Sequence, residues 1–248
     1  MKNKLKSFKD YLINLIYPNH IKCIFCGDEL NQNSYNDTCE DCFETLPFIS
    51  HCCDRCGDKI SEDRFGVCNK CKNINYDFIK ARSVFEYNDK LIKAVHGFKY
   101  ADKKYLYKPF AKFLAEYYST NDMFADYVVC VPMFKTKEEA RGYNQAKLLA
   151  EEFSNITKVP FVDCCSKIVD NESQTTLNFK NRQQNVANTF AFNNKYKKKI
   201  KDKSILVIDD IFTTGATSNE VCKLLKENGA KECYVLTLAH TTLDARPL

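Results

Sequence analysis

The sequence predicts an α/β domain with a largely parallel sheet, preceded by a small cysteine-rich module. Beyond residue 77, short apolar runs typical of buried strands alternate with helical patterns, the order expected for a parallel sheet covered by helices. Before that point, eight of the 14 cysteines fall into four C-x-x-C pairs. We therefore expect residues 21–77 to form the cysteine-rich module and residues 78–248 to form the α/β domain.

The first 20 residues are basic and carry apolar side chains at helical spacing. This spacing predicts a short amphipathic helix over residues 1–20, which either packs on the protein or lies on a membrane surface. The sequence contains no apolar run long enough for a membrane span, and no apolar secretory segment follows the basic start. A cytoplasmic protein without a membrane span is therefore expected.

The four cysteine pairs have the spacing of zinc knuckles. A disulfide scaffold is the alternative, but it fits poorly with a chain that lacks a secretory signal. We predict two structural Cys₄ zinc sites, paired either sequentially or with the pairs interleaved. In the sequential arrangement one site is formed by Cys23, Cys26, Cys39 and Cys42, and the other by Cys53, Cys56, Cys68 and Cys71. His51 and Cys52 are expected to be bystanders.

The α/β domain is predicted from its apolar patterns in chain order. The predicted strands are Ala81–Tyr87, Tyr127–Val131, Phe161–Ile168, Ile205–Ile208 and Glu232–Leu238. The predicted helices carry Leu91 to Phe98, Leu106 to Tyr117, Ala146 to Phe153, residues 178–187, and Val221 to Leu225. His96 and His240 have no cysteine or acidic neighbour at ligand spacing and are expected to be ordinary histidines.

The stretch from Ile205 to Thr217 carries the strongest functional signal. A wholly apolar strand is followed by Asp209 and Asp210, and then by the small-residue loop Thr213, Thr214, Gly215, Ala216 and Thr217, which opens a helix. A loop of this kind at a helix amino end suits a phosphate monoester, and the preceding carboxylates can accept hydrogen bonds from sugar hydroxyls. The pattern predicts a site for a phosphorylated ribose at the strand ends.

Three other polar stretches are candidates for ligand contacts. Arg141 and Gln145, beside Gly142, either bind anionic oxygens or simply begin a helix. Gln174 and Arg182 lie in a polar segment that is either a lid over a pyrophosphate or a solvated helix. The lysine-rich segment 195–203 either contacts a nucleic-acid backbone or is a solvated loop. Residues 1–77 carry a net charge of −2 and the remainder +7, which favours phosphate-bearing partners.

In combination, these motifs resemble the ComF family, the competence-protein group that also includes GntX-like proteins. The resemblance extends from about Cys23 to the carboxyl end and rests on several motifs. They are the four C-x-x-C pairs, Phe98-Lys-Tyr100, Val131-Pro132, Arg141-Gly-Tyr-Asn-Gln145, Gln174 with Arg182 and Asn185, and Ile208–Thr217. The family implies a double zinc ribbon followed by a Rossmann-like type I phosphoribosyltransferase fold. It also implies a cytoplasmic role in natural transformation, handling single-stranded DNA.

By this resemblance, Asp209 and Asp210 hold the ribose hydroxyls of phosphoribosyl pyrophosphate (PRPP), and Thr213 to Thr217 hold its 5′-phosphate. Ala216 stands where many phosphoribosyltransferases carry a second glycine, and Lys167 where arginine is commoner. No base-binding hood is recognisable in the sequence. Three functions follow: a DNA-handling competence protein that keeps a PRPP pocket, a transferase that uses PRPP and Mg²⁺, or a scaffold that binds other competence proteins.

Overall fold

The computed structural model describes residues 21–61, 65–100, 103–170 and 188–241. The chain divides into two compact units, one ending at Leu46 and the other beginning at Pro47. The larger unit contains the second set of four paired cysteines together with the α/β domain. The predicted module boundary at residue 77 stays a prediction, and the predicted helix over residues 1–20 lies outside the described residues.

The smaller unit is built around its two cysteine pairs. Gly27, with a φ of 86°, closes the first turn, and its N–H donates to the Cys23 carbonyl at 3.0 Å. Helix α1 (Glu40–Glu44) starts directly after Cys39 and contains Cys42. A tight turn and a short helix therefore present the two halves of the first cysteine group.

The larger unit repeats this local pattern. The Gly57 N–H donates to the Cys53 carbonyl at 3.0 Å, and helix α2 (Asn69–Lys72) starts directly after Cys68 and contains Cys71. Gly57 is sterically required here, because a Cβ at this position would lie 2.7 Å from the Ala81 carbonyl oxygen. The second ribbon thus packs closely on the first strand of the α/β domain.

The α/β domain contains the remaining elements of the described chain. Its strands are β1 (Lys80–Glu86), β2 (Tyr127–Cys130), β3 (Cys165–Lys167), β4 (Phe190–Phe192), β5 (Ser204–Phe212) and β6 (Glu232–His240). Its helices are α3 (Asp89–Tyr100), α4 (Tyr107–Thr120), α5 (Lys135–Arg141), α6 (Gln145–Thr157), α7 (Lys197–Ile200) and α8 (Ala216–Glu227), with 3₁₀ turns at Lys104–Leu106 and Asn194–Tyr196.

Four of these strands form one parallel sheet in the order β1-β6-β5-β2. The residues from Ile205 to Ile208 are fully buried in its centre, because helices cover both faces. The predicted α/β class with a largely parallel sheet is confirmed. All four strands point the same way, so the loops that follow β2 and β5 emerge side by side at the carboxyl edge. Within the described residues, no helix has the length and apolar character needed to cross a membrane.

The predicted third strand, Phe161–Ile168, is wrong in length and pairing. Phe161 makes only a single parallel bridge to Val128. The strand proper is β3, which pairs antiparallel with β4 in a separate two-stranded sheet. Asp163 interrupts the apolar run at the point where the backbone changes partner: the Val162 N–H still donates to the Val128 carbonyl, but the Cys164 carbonyl accepts the Asn193 N–H next to β4.

Other boundaries also differ from the prediction. Strand β5 extends to Phe212, so Asp209 and Asp210 lie within its carboxyl end rather than after it, and Asp209 pairs in register with Thr237. The segment from Lys135 forms helix α5, which Gly142 ends with a φ of 84°. The lysine-rich segment contains the short helix α7, which is anchored by the buried Ile200. The predicted helix over residues 178–187 lies outside the described residues.

Candidate functional site at the carboxyl edge of the sheet

Two adjacent carboxylates occupy the carboxyl end of β5. The Asp209 carboxylate accepts the backbone N–H of Asp210 at 2.9 Å. Burial raises the pKa of Asp209, and the neighbouring Asp210 charge raises it further. A hydroxyl donor or a cation that binds here stabilises the ionised form of this buried carboxylate, because either one compensates for the lost hydration.

Lys99, from helix α3, neutralises one of these carboxylates. Its Nζ lies 2.8 Å from Asp210 Oδ2, and the two side chains are only 20% and 13% exposed. Burial alone lowers the pKa of Lys99, but the Asp210 carboxylate outweighs burial and leaves that pKa raised. Lys99 is missing from the site residues predicted from sequence, where its only signal is the Phe98-Lys-Tyr100 motif.

The loop after β5 is shaped for a close approach of its backbone to a ligand. Gly215 has a φ of 74° and immediately precedes helix α8. A Cβ at this position would lie 2.5 Å from the Phe212 ring, so only glycine fits. The Thr214 hydroxyl accepts the Ala216 N–H at 3.4 Å, while Thr213 is exposed. The first-turn N–H groups of a helix lack intrahelical partners, so this loop offers an anion donors and a favourable dipole.

The segment after β2 braces the end of α3. The Arg141 guanidinium lies 4.8 Å from the centre of the Tyr100 ring and donates to Gln145 Oε1 at 2.7 Å. Gln145 Nε2 and the Tyr143 hydroxyl both donate to the Phe98 carbonyl. Because Lys99 lies between Phe98 and Tyr100, this network also fixes the backbone that carries the Asp210 partner.

The other anion-binding candidates are placed as follows. Gln145 is only 1% exposed, so its amide forms hydrogen bonds within the protein and does not face solvent. Arg141 is half-buried. Lys167, on β3, is close enough to Asp209 to feel its charge; burial, aided by Lys137, lowers the pKa of Lys167. Gln174 and Arg182 lie outside the described residues, so their predicted contacts with a pyrophosphate stay predictions.

A cavity of about 330 Å³ opens beside this site, at the carboxyl end of β2. Lys167 lines it, together with the ion pair between Lys147 and Asp163. Its lining includes Cys130, which pairs in register with Ile208, the residue before Asp209, so a second small molecule in this polar cavity could approach a ribose bound at the end of β5. Pro132 and Asn144 of the sequence motifs line the cavity, but the cavity itself was not predicted because its lining residues come from four separate segments.

The eight paired cysteines form two groups, and the pairing is sequential. In each group the four sulfur atoms lie within 4.8 Å of one another. The Sγ–Sγ distances of 3.6 Å for Cys26 and Cys39 and 3.8 Å for Cys56 and Cys68 match the edge of a tetrahedron with Zn–S bonds of about 2.3 Å. This geometry supports structural Zn²⁺ as the fitting metal. The interleaved pairing is not observed.

In the second cysteine group, hydrogen-bond donors surround the sulfur of Cys53 and stabilise its negatively charged form. The Cys68 N–H donates to the Cys53 sulfur at 3.2 Å, and a hydrogen bond from Cys56 lowers the pKa of Cys53. Four-cysteine sites of this kind leave no open coordination position, so their role is structural. Within the described residues, His51 and Cys52 belong to neither group, as predicted.

Comparison with known proteins agrees with this architecture. Residues 12–72 match the family model described as a double zinc ribbon domain, and residues 101–245 match that of the phosphoribosyl transferase domain. "Competence protein F" of Haemophilus influenzae is 26% identical over 89% of this chain and 97% of its own length. "Competence protein ComFC" of Streptococcus pneumoniae is 28% identical over 88% of this chain and 99% of its own length.

A further relative bears a name that refers to DNA. The "DNA utilization protein YhgH" of Salmonella typhimurium is 24% identical over 76% of this chain and 84% of its own length. The phosphoribosyl transferase match covers more than half of the chain and includes the loop after β5. With its double zinc ribbon, this chain belongs to the ComF family of phosphoribosyl transferase domain proteins.

Proposed function

We propose that the carboxyl edge of the sheet binds PRPP together with Mg²⁺. The observation that carries this proposal is the order of groups from Asp209 to Thr217: two carboxylates at a strand end, a left-handed glycine and a helix amino terminus. The loop Thr213–Thr217 holds the 5′-phosphate, while Asp209 and Asp210 accept the ribose hydroxyls. Mg²⁺, when bound, neutralises pyrophosphate oxygens.

The cations around the two carboxylates support a pyrophosphate at the same edge. Lys99 pairs with Asp210, Lys167 lies near Asp209, and Arg141 is held by Gln145 on the neighbouring loop. In this proposal Arg141 contacts the pyrophosphate and Gln145 acts indirectly by orienting the guanidinium. Gln174 and Arg182, which lie outside the described residues, stay predicted contacts of the pyrophosphate.

PRPP binding permits a transfer reaction. A nucleophile would form a bond to ribose C1 while the bond from C1 to the pyrophosphate oxygen breaks. Pyrophosphate would leave with the electron pair, and the nucleophile would lose its proton to solvent. Catalysis would then rest on positioning and charge stabilisation, to which Lys99 and Arg141 contribute. The cavity beside Asp209 is where the nucleophile would approach.

Pyrophosphate release separates a transferase from a PRPP-binding protein. The purified, zinc-loaded chain is incubated with PRPP and Mg²⁺ and a panel of free bases and oligonucleotides, and released pyrophosphate is measured. Release with one member of the panel, and its loss in Asp209→Asn, would identify a transferase and its acceptor class. Binding of PRPP without release would assign the pocket to ligand sensing, whereas absence of binding would refute the proposal.

The relatives' names and the charge distribution support a second activity, binding of single-stranded DNA. The lysine segment 195–203 precedes β5 and so lies at the amino edge of the sheet. Lys195, Lys197, Lys198 and Lys199 are all exposed. Lys195 and Lys199 in addition lie over the rings of Tyr196 and Tyr127. A nine-residue strand spans about 30 Å, so this surface is separate from the PRPP pocket.

DNA binding through the lysine segment has a measurable salt signature. For a single-stranded oligonucleotide, the logarithm of the affinity should fall with the logarithm of salt concentration by about 0.7 per phosphate contact. Lys197→Gln together with Lys198→Gln should reduce this slope by about 1.4. Lys93→Gln together with Lys223→Gln removes two exposed lysines elsewhere and should leave it unchanged. Equal slopes in the two double variants would exclude the lysine segment as the DNA surface.

A further inference from the structure

The second zinc ribbon is joined to the phosphate loop by a buried hydrogen bond. Tyr76 follows the last cysteine of that ribbon, Cys71, by five residues and is 8% exposed. Its hydroxyl donates to the carbonyl oxygen of Thr214 at 3.1 Å. This contact links the ribbon to the loop that the proposed function assigns to the 5′-phosphate, although the two are 138 residues apart in sequence.

The same tyrosine is anchored to the knuckle of the ribbon. Arg55, which lies between Cys53 and Cys56, donates from Nη2 to the Tyr76 carbonyl at 2.9 Å and to Asn75 Oδ1 at 3.2 Å. The knuckle therefore holds the backbone of Tyr76, and the side chain of Tyr76 holds the loop. The next residue repeats the link, because the Asp77 N–H donates to Asn219 Oδ1 on helix α8 at 2.6 Å.

The Tyr76 hydrogen bond determines where a ligand-binding N–H points. In a trans peptide the C=O and the following N–H point in opposite directions. Because the Thr214 carbonyl faces the buried Tyr76 hydroxyl, the Gly215 N–H points away from that hydroxyl. Glycine accepts either sign of φ, so the preceding peptide would otherwise flip at little cost.

An aromatic cluster holds the loop from beneath. The Tyr76 ring stacks on Phe78 at 4.5 Å between centroids, and Phe78 meets Phe212 edge-on at 6.1 Å. Phe212 in turn stacks on the buried His240 and fills the space that a side chain at Gly215 would need. The ring of Tyr76 is thus held in place by packing, and the hydroxyl alone remains to orient the Thr214–Gly215 peptide.

We propose that Tyr76, held by Arg55 of the second ribbon, is a positioning residue that presents the Gly215 N–H to a phosphate group. This inference rests on the proposed function for the identity of the ligand. The orientation of the peptide itself does not depend on which phosphate binds. The ribbon thereby contributes to the pocket without touching the ligand.

Tyr76→Phe tests the inference in the full-length, zinc-loaded protein. The substitution removes one hydroxyl and keeps the ring, so zinc content and melting temperature should stay near those of the wild type. PRPP affinity by calorimetry should fall about three- to tenfold, the effect of losing one orienting hydrogen bond. Amide hydrogen exchange in a peptide covering Thr213–Thr217 should become faster. Tyr118→Phe is the matched control, since that hydroxyl accepts the Ala125 N–H, distant from the loop.

The two readouts separate the inference from the function on which it rests. If wild type binds PRPP and Tyr76→Phe binds it equally well with unchanged exchange, the inference is overturned and the proposed function stands. If wild type does not bind PRPP, the proposed function fails, and hydrogen exchange still decides whether Tyr76 orders the loop. Equal exchange rates in wild type and Tyr76→Phe overturn the inference in either case.

Discussion

Asp209→Asn combined with Asp210→Asn is expected to weaken PRPP binding more than about 100-fold. Each aspartate that forms a hydrogen bond with a ribose hydroxyl contributes about 1.5 kcal/mol, near the upper end of the net range for one hydrogen bond. The loss of two such bonds corresponds to about 3 kcal/mol. Addition of PRPP and Mg²⁺ should therefore raise the melting temperature of the wild type and leave that of the double variant unchanged.

Asp202→Asn provides the matched control for this experiment. It removes an exposed carboxylate just before the amino end of β5, at a φ of 58° that asparagine tolerates well. PRPP should stabilise this variant as much as the wild type. Equal stabilisation of the Asp209/Asp210 double variant would contradict the assignment of the two carboxylates.

The two single substitutions should change the stability of the unliganded protein in opposite directions. The folded-state pKa of Asp209 is raised above its unfolded value, so the fold favours the neutral form and stability falls as pH rises from the ordinary aspartate range through the raised pKa. Asp209→Asn removes this cost and should raise the melting temperature near pH 8. Asp210→Asn should lower it, because Lys99 is left buried without its partner.

Loss of zinc from the second ribbon is expected to destabilise the α/β domain, whereas loss from the first should not. Cys56→Ser removes a ligand from the group in the larger unit, and Cys26→Ser removes the equivalent ligand in the smaller unit. Structural zinc contributes a binding free energy of about 10–16 kcal/mol in isolated zinc-finger peptides. Because a structural site needs all four of its ligands, each variant should lose one of the two zinc ions.

The consequences for the larger unit distinguish the two cysteine variants. Cys56→Ser should lower its melting temperature by more than about 5 °C, because Gly57, Arg55 and Tyr76 connect the ribbon to β1 and to the phosphate loop. Cys26→Ser should leave this transition within about 2 °C of the wild type. Metal analysis gives the zinc content of each variant, and calorimetric scans give the melting temperature of its larger unit. Equal shifts in the two variants would refute the separate roles of the ribbons.

The features predicted correctly from sequence are those that depend on residues close together in the chain. The cysteine spacing indicated two four-cysteine groups, and the apolar run Ile205–Ile208 indicated the central strand of a parallel sheet. The candidate ligand site from Asp209 to Gly215 could be predicted from sequence because strand, loop and helix follow one another without interruption in the chain. Each of these signals lies within one continuous segment of about 20 residues or fewer, the range in which periodicity and spacing are informative.

The features missed from sequence depend on distant residues that meet only in the fold. Lys99 reaches Asp210 from a separate helix, and Tyr76 reaches Thr214 from the zinc ribbon. Neither contact can be recognised from the periodicity of apolar residues in the sequence. His240, expected to be an ordinary surface or core histidine, is a core residue stacked on Phe212. The third strand was predicted too long, because its nearly continuous apolar run does not show that the backbone changes partner from β2 to β4 around Asp163.

Calorimetric titration of the zinc-loaded, full-length protein with PRPP in the presence of Mg²⁺ tests the central claim most directly. The account predicts saturable binding with one PRPP per chain, weakened more than about 100-fold in the Asp209/Asp210 double variant and about three- to tenfold in Tyr76→Phe. Absence of saturable binding to the wild type, or unchanged affinity in the double variant, would contradict it.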